Sequence, residues 1–388
     1  MKHLYFYYLL GVMNIRYDKR KDLFTSSKLS TALKLVFHLI VPNVVLLTIS
    51  IIGKTGILLT IPSVHMVVFA MRIVWTMLTM NITMLLNYLF TSKNQMALLN
   101  ECLTCLRDAQ TASVDESIAV NSSFRRSKIV LGIFLLHYTN YEINQYTYVL
   151  LYDEKWPELT FYILFYFLEM VTVVNALYYA AVLDIVHRTV QLDRDRLANC
   201  LQQNAKNDPF ELDDPYWWRT IEHFYQRVLT INRRKRDYKR AFQLQLIMIA
   251  LNTFIASFAI FYVNLNSMLL YAHNNVLEKY KRVTECLGFF PQLGALLLIC
   301  YHAYKLENEQ QSLMQLIMQT QSKLTKCTAN LKRGDIFNSR IIILQSQLKI
   351  SPYNMLNIDL EYFFGIVAAI VTYLVVLLQF RIFENSRE

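Results

Sequence analysis

Seven stretches of this chain are apolar at nearly every position, over residues 35–60, 64–90, 129–151, 159–186, 241–272, 283–304 and 360–383. A helix rises 1.5 Å per residue, so about 20 apolar residues cross the roughly 30 Å hydrocarbon layer of a bilayer. Continuous apolarity leaves no polar face for water, and backbone in lipid must satisfy its own hydrogen bonds. The pattern therefore predicts an all-α membrane protein with seven transmembrane helices. Between these runs the period changes. Leu183, Val190 and Leu197 repeat by seven, and Trp217, Ile221, Phe224, Val228 and Ile231 alternate steps of four and three. Leu306, Leu313, Leu324 and Leu331 follow the sixth run, and Phe337, Ile341, Leu344 and Leu348 precede the seventh. Such stripes predict a helical bundle outside the membrane, packed largely within the chain. Leu4–Met13 is a shorter apolar stretch without a small-x-small cleavage site, and it reads as an amphipathic helix lying against the membrane.

Charge gives the helices a direction. Only 18% of the 388 residues are charged, against about a quarter in soluble proteins. The net charge of +10 would suit nucleic acid, but its distribution follows the membrane instead. Thirty-one lysines and arginines fall before the first run and in the second-to-third, fourth-to-fifth and sixth-to-seventh connections, against seven at or near the other ends. Basic residues collect in the cytoplasm, so the N-terminus is expected inside and the C-terminus outside. The expected organisation is a cytosolic segment (1–32), helices 1–4 (33–186), a cytosolic helical extension (187–240) and helices 5–6 (241–305). Cytosolic helices (306–358), a last transmembrane helix (359–383) and an extracellular tail (384–388) complete it. Residues 207–215, with two prolines and four acids, read as a loop. Cysteine usage fits this placement. Cys102, Cys105, Cys200 and Cys327 fall on the reducing side, and Cys102-x-x-Cys105 has neither a second pair nor nearby histidines. It reads as two small residues on a cytosolic helix.

Three charges break the apolar runs. Arg72, Glu142 and Glu169 each lie about 12–15 Å below the outer ends of their helices. A charge there costs about 2.5–3.5 kcal/mol on insertion scales, so each needs a partner or water. Arg72 is expected to pair with Glu142 or Glu169, either at the floor of an outward-facing cavity or as a bridge that only fixes helix orientation. The outer halves of the helices are rich in rings and amides, and the candidate ligand-binding residues are Arg72, Trp75, Tyr141, Glu142, Gln145, Tyr148, Tyr166, Glu169, Tyr262, Asn266 and Phe289. Aromatic walls with a few placed polar groups suit a small organic ligand. Tyrosines of membrane proteins also serve as interface belts, and the concentration on the third run is what rises above that background.

The seventh run carries the most specific signal. It holds Thr372-Tyr373, then five apolar residues, then Gln379-Phe380. Gln345-Ser346-Gln347-Leu348, Ser351-Pro352 and Ile358-Asp359 precede it. This pattern, over residues 336–380, resembles that of the insect gustatory receptor family. The resemblance implies a chemosensory cation channel of four subunits, homomeric or mixed, each lending its last helix to a central path. It also implies a pocket in the outer half of each subunit and residence in the plasma membrane of chemosensory neurons. Thr372, Tyr373, Val376, Leu377, Gln379 and Phe380 are the expected pore and gate residues. Tyr373, Val376 or Leu377, and Phe380 recur at i, i+3/i+4 and i+7, so one face can form an apolar constriction that closes by dewetting. Expected partners are a small-molecule tastant, permeant cations and membrane lipid, with no nucleic acid.

Other classes find less support. The charge asymmetry reverses that of a G-protein-coupled receptor, and neither Asp-Arg-Tyr after the third run nor Asn-Pro-x-x-Tyr in the seventh is present. Seven runs without an internal repeat do not suit the two halves of a typical transporter. No phosphate-binding glycine loop, Gly-x-Ser-x-Gly or His-Glu-x-x-His occurs, so neither an enzyme nor a cofactor is expected. A bitter or contact-pheromone ligand is the preferred reading.

Overall fold

The computed structural model describes residues 4–18, 20–44, 63–112, 156–207, 215–270, 288–324 and 349–385, with short helical pieces at 132–134, 136–137 and 139. Helix α1 (Leu4–Leu9) leads into strands β1 (Ile15–Asp18) and β2 (Leu23–Ser26), then α2 (Lys28–Leu35), which continues as a π-helical turn over Val36–Ile40. Helix α3 (Ser63–Leu85) ends in a second π-helical turn, Leu86–Phe90, and α4 (Ser92–Ala112) follows almost at once. Three long helices come next: α5 (Trp156–Asn207), α6 (Pro215–Leu270) and α7 (Phe289–Leu324). A 3-10 turn at Pro352–Asn354 precedes α8 (Leu360–Asn385).

Among the described residues, four helical stretches are long and apolar enough to cross a membrane: Met71–Phe90, Phe165–Asn199, Val228–Tyr262 and Leu360–Phe380. They correspond to the second, fourth, fifth and seventh runs. The first and third runs lie largely outside the described residues, and the sixth enters them at residue 288 to form the first half of α7. At 52 and 56 residues, α5 and α6 are each about 80 Å long, more than twice the hydrocarbon thickness. Both therefore project well beyond it at the end where they follow one another in the chain.

The projecting parts form a packed layer. Leu183, Val190 and Leu197 of α5, Val228 and Ile231 of α6, and Leu306 and Leu313 of α7 are all buried. Side-chain bridges cross the same layer: Arg194 of α5 binds Glu309 of α7, and Gln310 of α7 donates to Asn232 of α6. Arg233 and Arg234 of α6 both donate to Glu101 of α4 (2.9 and 3.1 Å). Rings fill the centre, with the Phe242 centroid 4.9 Å from both Tyr179 and Tyr238 and 5.9 Å from Tyr178.

The N-terminal segment corrects the sequence expectation. One apolar face is buried in protein, with Leu4, Tyr7, Val12, Met13 and Ile15 at most 2% exposed, while Tyr5 and Leu9 stay exposed. The Tyr7 hydroxyl donates to the Leu177 carbonyl of α5 (3.4 Å), and Asn14 donates to the Tyr88 carbonyl (3.5 Å). An apolar stripe specifies burial without specifying by what, and here α5 supplies the surface. The charged run after it forms a hairpin, pairing Ile15 with Ser26 and Asp18 with Leu23. The Asp18 carboxylate accepts from the Arg20 and Lys21 amides at the turn (2.9 and 3.4 Å). Gly11 makes the reversal between α1 and β1 at φ 78°, and its Cα faces the His38 ring so closely that a Cβ would overlap it.

Candidate functional site

Arg72 of α3 meets Glu169 of α5. Its Nε donates to Oε1 and its second guanidinium nitrogen to Oε2, both at 2.8 Å. The side chains are only 12% and 4% exposed, so the bridge is shielded on both sides. The paired geometry matches the planar fork of arginine to the two carboxylate oxygens, the stronger form of such contacts. The guanidinium carbon also lies 5.1 Å from the Phe165 ring centroid, one turn before Glu169, within cation–π range. Phe165 packs against Tyr166 at 5.7 Å, and Ile73 rests on both. Trp75 stands one turn beyond Arg72 on α3, and its buried indole nitrogen meets no acceptor among the described residues. Arg72, Tyr166 and Glu169 thus share the seam between α3 and α5, with Trp75 one turn along α3. Of the two carboxylates expected to compete for Arg72, Glu169 makes the bridge. Glu142 lies outside the described residues, as do Tyr141, Gln145 and Tyr148.

A second group forms between α6 and α7. Tyr262 is buried and stacks on Phe258 (6.3 Å), which stacks on Phe254 (6.4 Å). The neighbouring Phe261 packs against Phe289 of α7 at 4.2 Å. Asn266 lies on the last part of α6, within the described helix. The ladder of rings on α6 does not stop at its own helix, because Phe254 meets Tyr373 of α8 edge to face at 6.2 Å. Rings spaced four apart on one helix fall on one face, so Tyr262 and Tyr373 are joined through two intervening phenylalanines.

Helix α8 holds to α6 and α7 through Phe363, Ile366, Ile370 and Leu374, one stripe that is buried along its length. Tyr373, Val376 and Phe380 are exposed (58%, 40% and 64%), Leu377 is half-buried, and Gln379 is exposed. Thr372 turns its hydroxyl back onto the Ala368 carbonyl (2.9 Å). Gly365 has open space where a Cβ would stand, so its small size serves no contact within the described chain. Only 22% of the apolar stretch of α8 is buried, against 89% in α5.

One constellation escaped the sequence. The π-helical turn of α3 swings Asn87 into the bundle, where its amide donates to Asn175 Oδ1 (3.1 Å) and to the Val12 carbonyl (3.3 Å). The Tyr179 hydroxyl and Gln95 Nε2 donate to Asn87 Oδ1 (3.2 and 3.0 Å). Tyr178 donates to Gln95 Oε1 (3.0 Å), and Gln245 of α6 donates to Thr91 Oγ1 (3.2 Å). This network ties the N-terminal segment to α3, α4, α5 and α6. Its signal in the sequence is the set of amides inside apolar runs, Asn87, Asn175 and Gln245. On α4, Cys102 is fully buried and burial pushes its thiol up to about 12, while Cys105 is raised for the same reason. Both thiols stay protonated near neutrality, unlike a metal-binding or redox pair. Among the described residues no group of three or more His, Cys, Asp or Glu could hold a metal ion.

The 7tm chemosensory receptor family profile matches residues 3–384 of this chain. Among solved structures, the chain is similar to the insect olfactory receptor OR5 from Machilis hrabei, with TM-score 0.58 and 13% identity over 96% of this chain and 95% of that one. The same receptor in complex with eugenol gives TM-score 0.57 at 13% identity, with the same shares covered. Comparison with curated proteins returned no match. The likeness to OR5 establishes the seven-helix fold, and the match over almost the whole length establishes descent: this chain belongs to the 7tm chemosensory receptor family.

Proposed function

We propose that the protein is a gustatory receptor acting as a ligand-gated, non-selective cation channel of the plasma membrane, opened by a small external chemical. The observation that carries this reading is α8, an apolar helix that bears the Thr372 to Phe380 pattern and buries only 22% of its span within the chain. Its uncovered side presents Tyr373, Val376 and Phe380, a surface suited to lining a shared path among four copies or among mixed gustatory subunits. The ligand would bind in the outer half of the bundle, among Arg72, Trp75, Tyr166 and Glu169 or beside Tyr262 and Phe289. Eugenol, bound by a receptor of the same fold, is a small aromatic molecule of the kind such ring-lined seams accept. A bitter tastant or contact pheromone is the preferred class. The ladder from Tyr262 to Tyr373 gives binding a contiguous route to α8.

The test is electrical. Whole-cell recording from insect cells expressing the chain, alone and with other gustatory subunits, should give cation current on application of a small organic ligand. Phe380→Ala should raise the current without ligand, because removing the ring widens an apolar constriction that closes by dewetting. Unchanged basal current in a variant that reaches the surface normally would sink the gate assignment. An absence of evoked current from every subunit combination and ligand class tried would sink the channel reading.

A further inference from the structure

A cleft of about 510 Å³ opens between α6 and the turn before α8. Lys235, Arg236 and Lys239 line it from α6, and Lys349 lines it from the facing segment. Four basic side chains share one small space, and among the described residues no carboxylate lines it. Neutral hydrogen-bonding groups complete the wall, notably Asn354 and Asn357. Lys235 and Lys239 stand one turn apart on α6, a spacing at which like charges disfavour the helix. The neighbouring carboxylates temper this charge without cancelling it: Asp359 sits 3.5 Å from Lys349, and Glu307 faces Lys235.

The opposite wall is built to hold its shape. Ile350, Pro352 and Ile358 are buried, and the Ile358 amide donates to the Ile350 carbonyl (2.9 Å), closing the loop on itself. Tyr353 and Asn354 both adopt left-handed backbone, at φ 50° and 58°. That conformation is costly for residues other than glycine and persists where surrounding contacts enforce it. Asn354 is thereby presented to α6, where its side-chain oxygen accepts from the Lys239 ammonium (2.7 Å). The Ser351-Pro352 pair that the channel reading leaves unexplained therefore shapes one side of a basic cleft.

We propose that this cleft binds an anion carrying two or more phosphate groups, either as the headgroup of a phosphoinositide lipid or as a soluble inositol phosphate. Lysines contribute compact charges and Arg236 a planar fork, the donor set that multiply charged phosphate requires, and the volume lies in the range of small-molecule sites. Position favours the lipid as source. Within the Val228–Tyr262 stretch of α6 the charges end at Arg240, so its uncharged run begins at residue 241, two positions after Lys239, and the apolar stretch of α8 begins at Leu360, three after Asn357. The cleft thus lies where both helices leave the apolar layer, at headgroup depth, on the side that the charge distribution assigns to the cytoplasm.

The experiment uses the full-length receptor, purified in detergent and separately reconstituted in nanodiscs. Inositol 1,4,5-trisphosphate is the soluble probe, and phosphatidylinositol 4,5-bisphosphate in a phosphatidylcholine disc is the lipid probe. Binding to wild type should weaken about tenfold or more in Lys239→Gln/Lys349→Gln, since a charge-assisted hydrogen bond to phosphate is worth at least that order in affinity. Lys93→Gln, an exposed cation on α4 away from the cleft, should bind as wild type. Affinity for the soluble probe that falls in the cleft variant supports the site with a free anion as source. Retention of the lipid alone, lost in the same variant, supports it with the membrane as source. No binding of either probe to wild type, or binding that Lys239→Gln/Lys349→Gln leaves unchanged, would overturn the proposal. Arg236→Gln, at an exposed position, repeats the comparison if the double variant elutes as aggregate. None of these readouts requires a current, so the cleft and the channel reading fail independently.

Discussion

At Arg72 the bilayer's penalty for a buried charge is met inside the chain. Both partners are shielded and both carboxylate oxygens are engaged, so removing Arg72 takes both of these bonds from a carboxylate in an apolar seam. Breaking such a pair costs about 3–5 kcal/mol, whereas replacing both partners with apolar residues is often neutral or stabilising. Arg72→Ala should therefore lower the thermal midpoint of the detergent-solubilised receptor sharply, and Arg72→Leu/Glu169→Leu should recover most of the loss. The double variant also decides between the two readings that the sequence leaves open. A receptor that folds with leucine at both positions and still responds to its ligand uses the bridge only to set helix orientation. One that folds and no longer responds uses it as part of the binding floor. A wild-type midpoint in Arg72→Ala would show that water reaches Glu169 and that the pair carries no stability.

The elements divide by how the sequence encodes them. Helices α3, α5, α6 and α8 were legible because more than 20 consecutive apolar positions admit few other structures. The heptad positions Leu183, Val190, Leu197, Leu306 and Leu313 were legible for a related reason, since their period names the buried face, and all five are buried. The hairpin was not. Its strands have four residues each, too few for alternation to register, and its register is held by Ile15 and Phe24 burying against the bundle. Partner choice was likewise hidden: Arg72 announced a bridge, and the packing of α3 on α5 brings Glu169 to it. Asn87 gave a weaker signal than a charge, because its network depends on a π-helical turn that no periodicity encodes. The N-terminal segment shows what such tertiary docking demands locally. Gly11→Ala would place a methyl group on left-handed backbone, at about 1–2 kcal/mol, and drive it into the His38 ring. The Val12 and Met13 amides, which donate to the Tyr7 carbonyl (3.0 and 3.1 Å), should then exchange with solvent deuterium faster than in wild type. Unaltered exchange at both amides would mean that α1 docks without this reversal.

For the whole molecule, the packed layer turns several weak indications of orientation into one. The N-terminal hairpin, α4 and the projecting parts of α5, α6 and α7 contact one another, through the Phe24 amide donating to Asn100 (2.7 Å), Arg233 and Arg234 on Glu101, and Arg194 on Glu309. Among the described residues, Arg194, Arg233 and Arg234, which the sequence sets on separate helices, are thus gathered at one end, and that end must face one compartment. The rule that lysine and arginine remain in the cytoplasm then predicts a cytoplasmic layer, with the C-terminus following α8 expected on the far side. A C-terminal epitope should stain intact insect cells, and the Asn121-Ser122-Ser123 acceptor, expected on the cytoplasmic side, should carry no glycan, so glycosidase should leave the mobility unchanged. The reverse result, an unstained surface and a glycosidase-sensitive shift lost in Asn121→Gln, would turn the layer outward. The basic cleft would then face away from phosphoinositides, and the expected binding seams would open to the cytoplasm. Orientation is therefore the measurement on which both the receptor reading and the lipid source of the cleft's anion depend, and because the layer moves as one body, a single epitope and a single acceptor suffice to fix it.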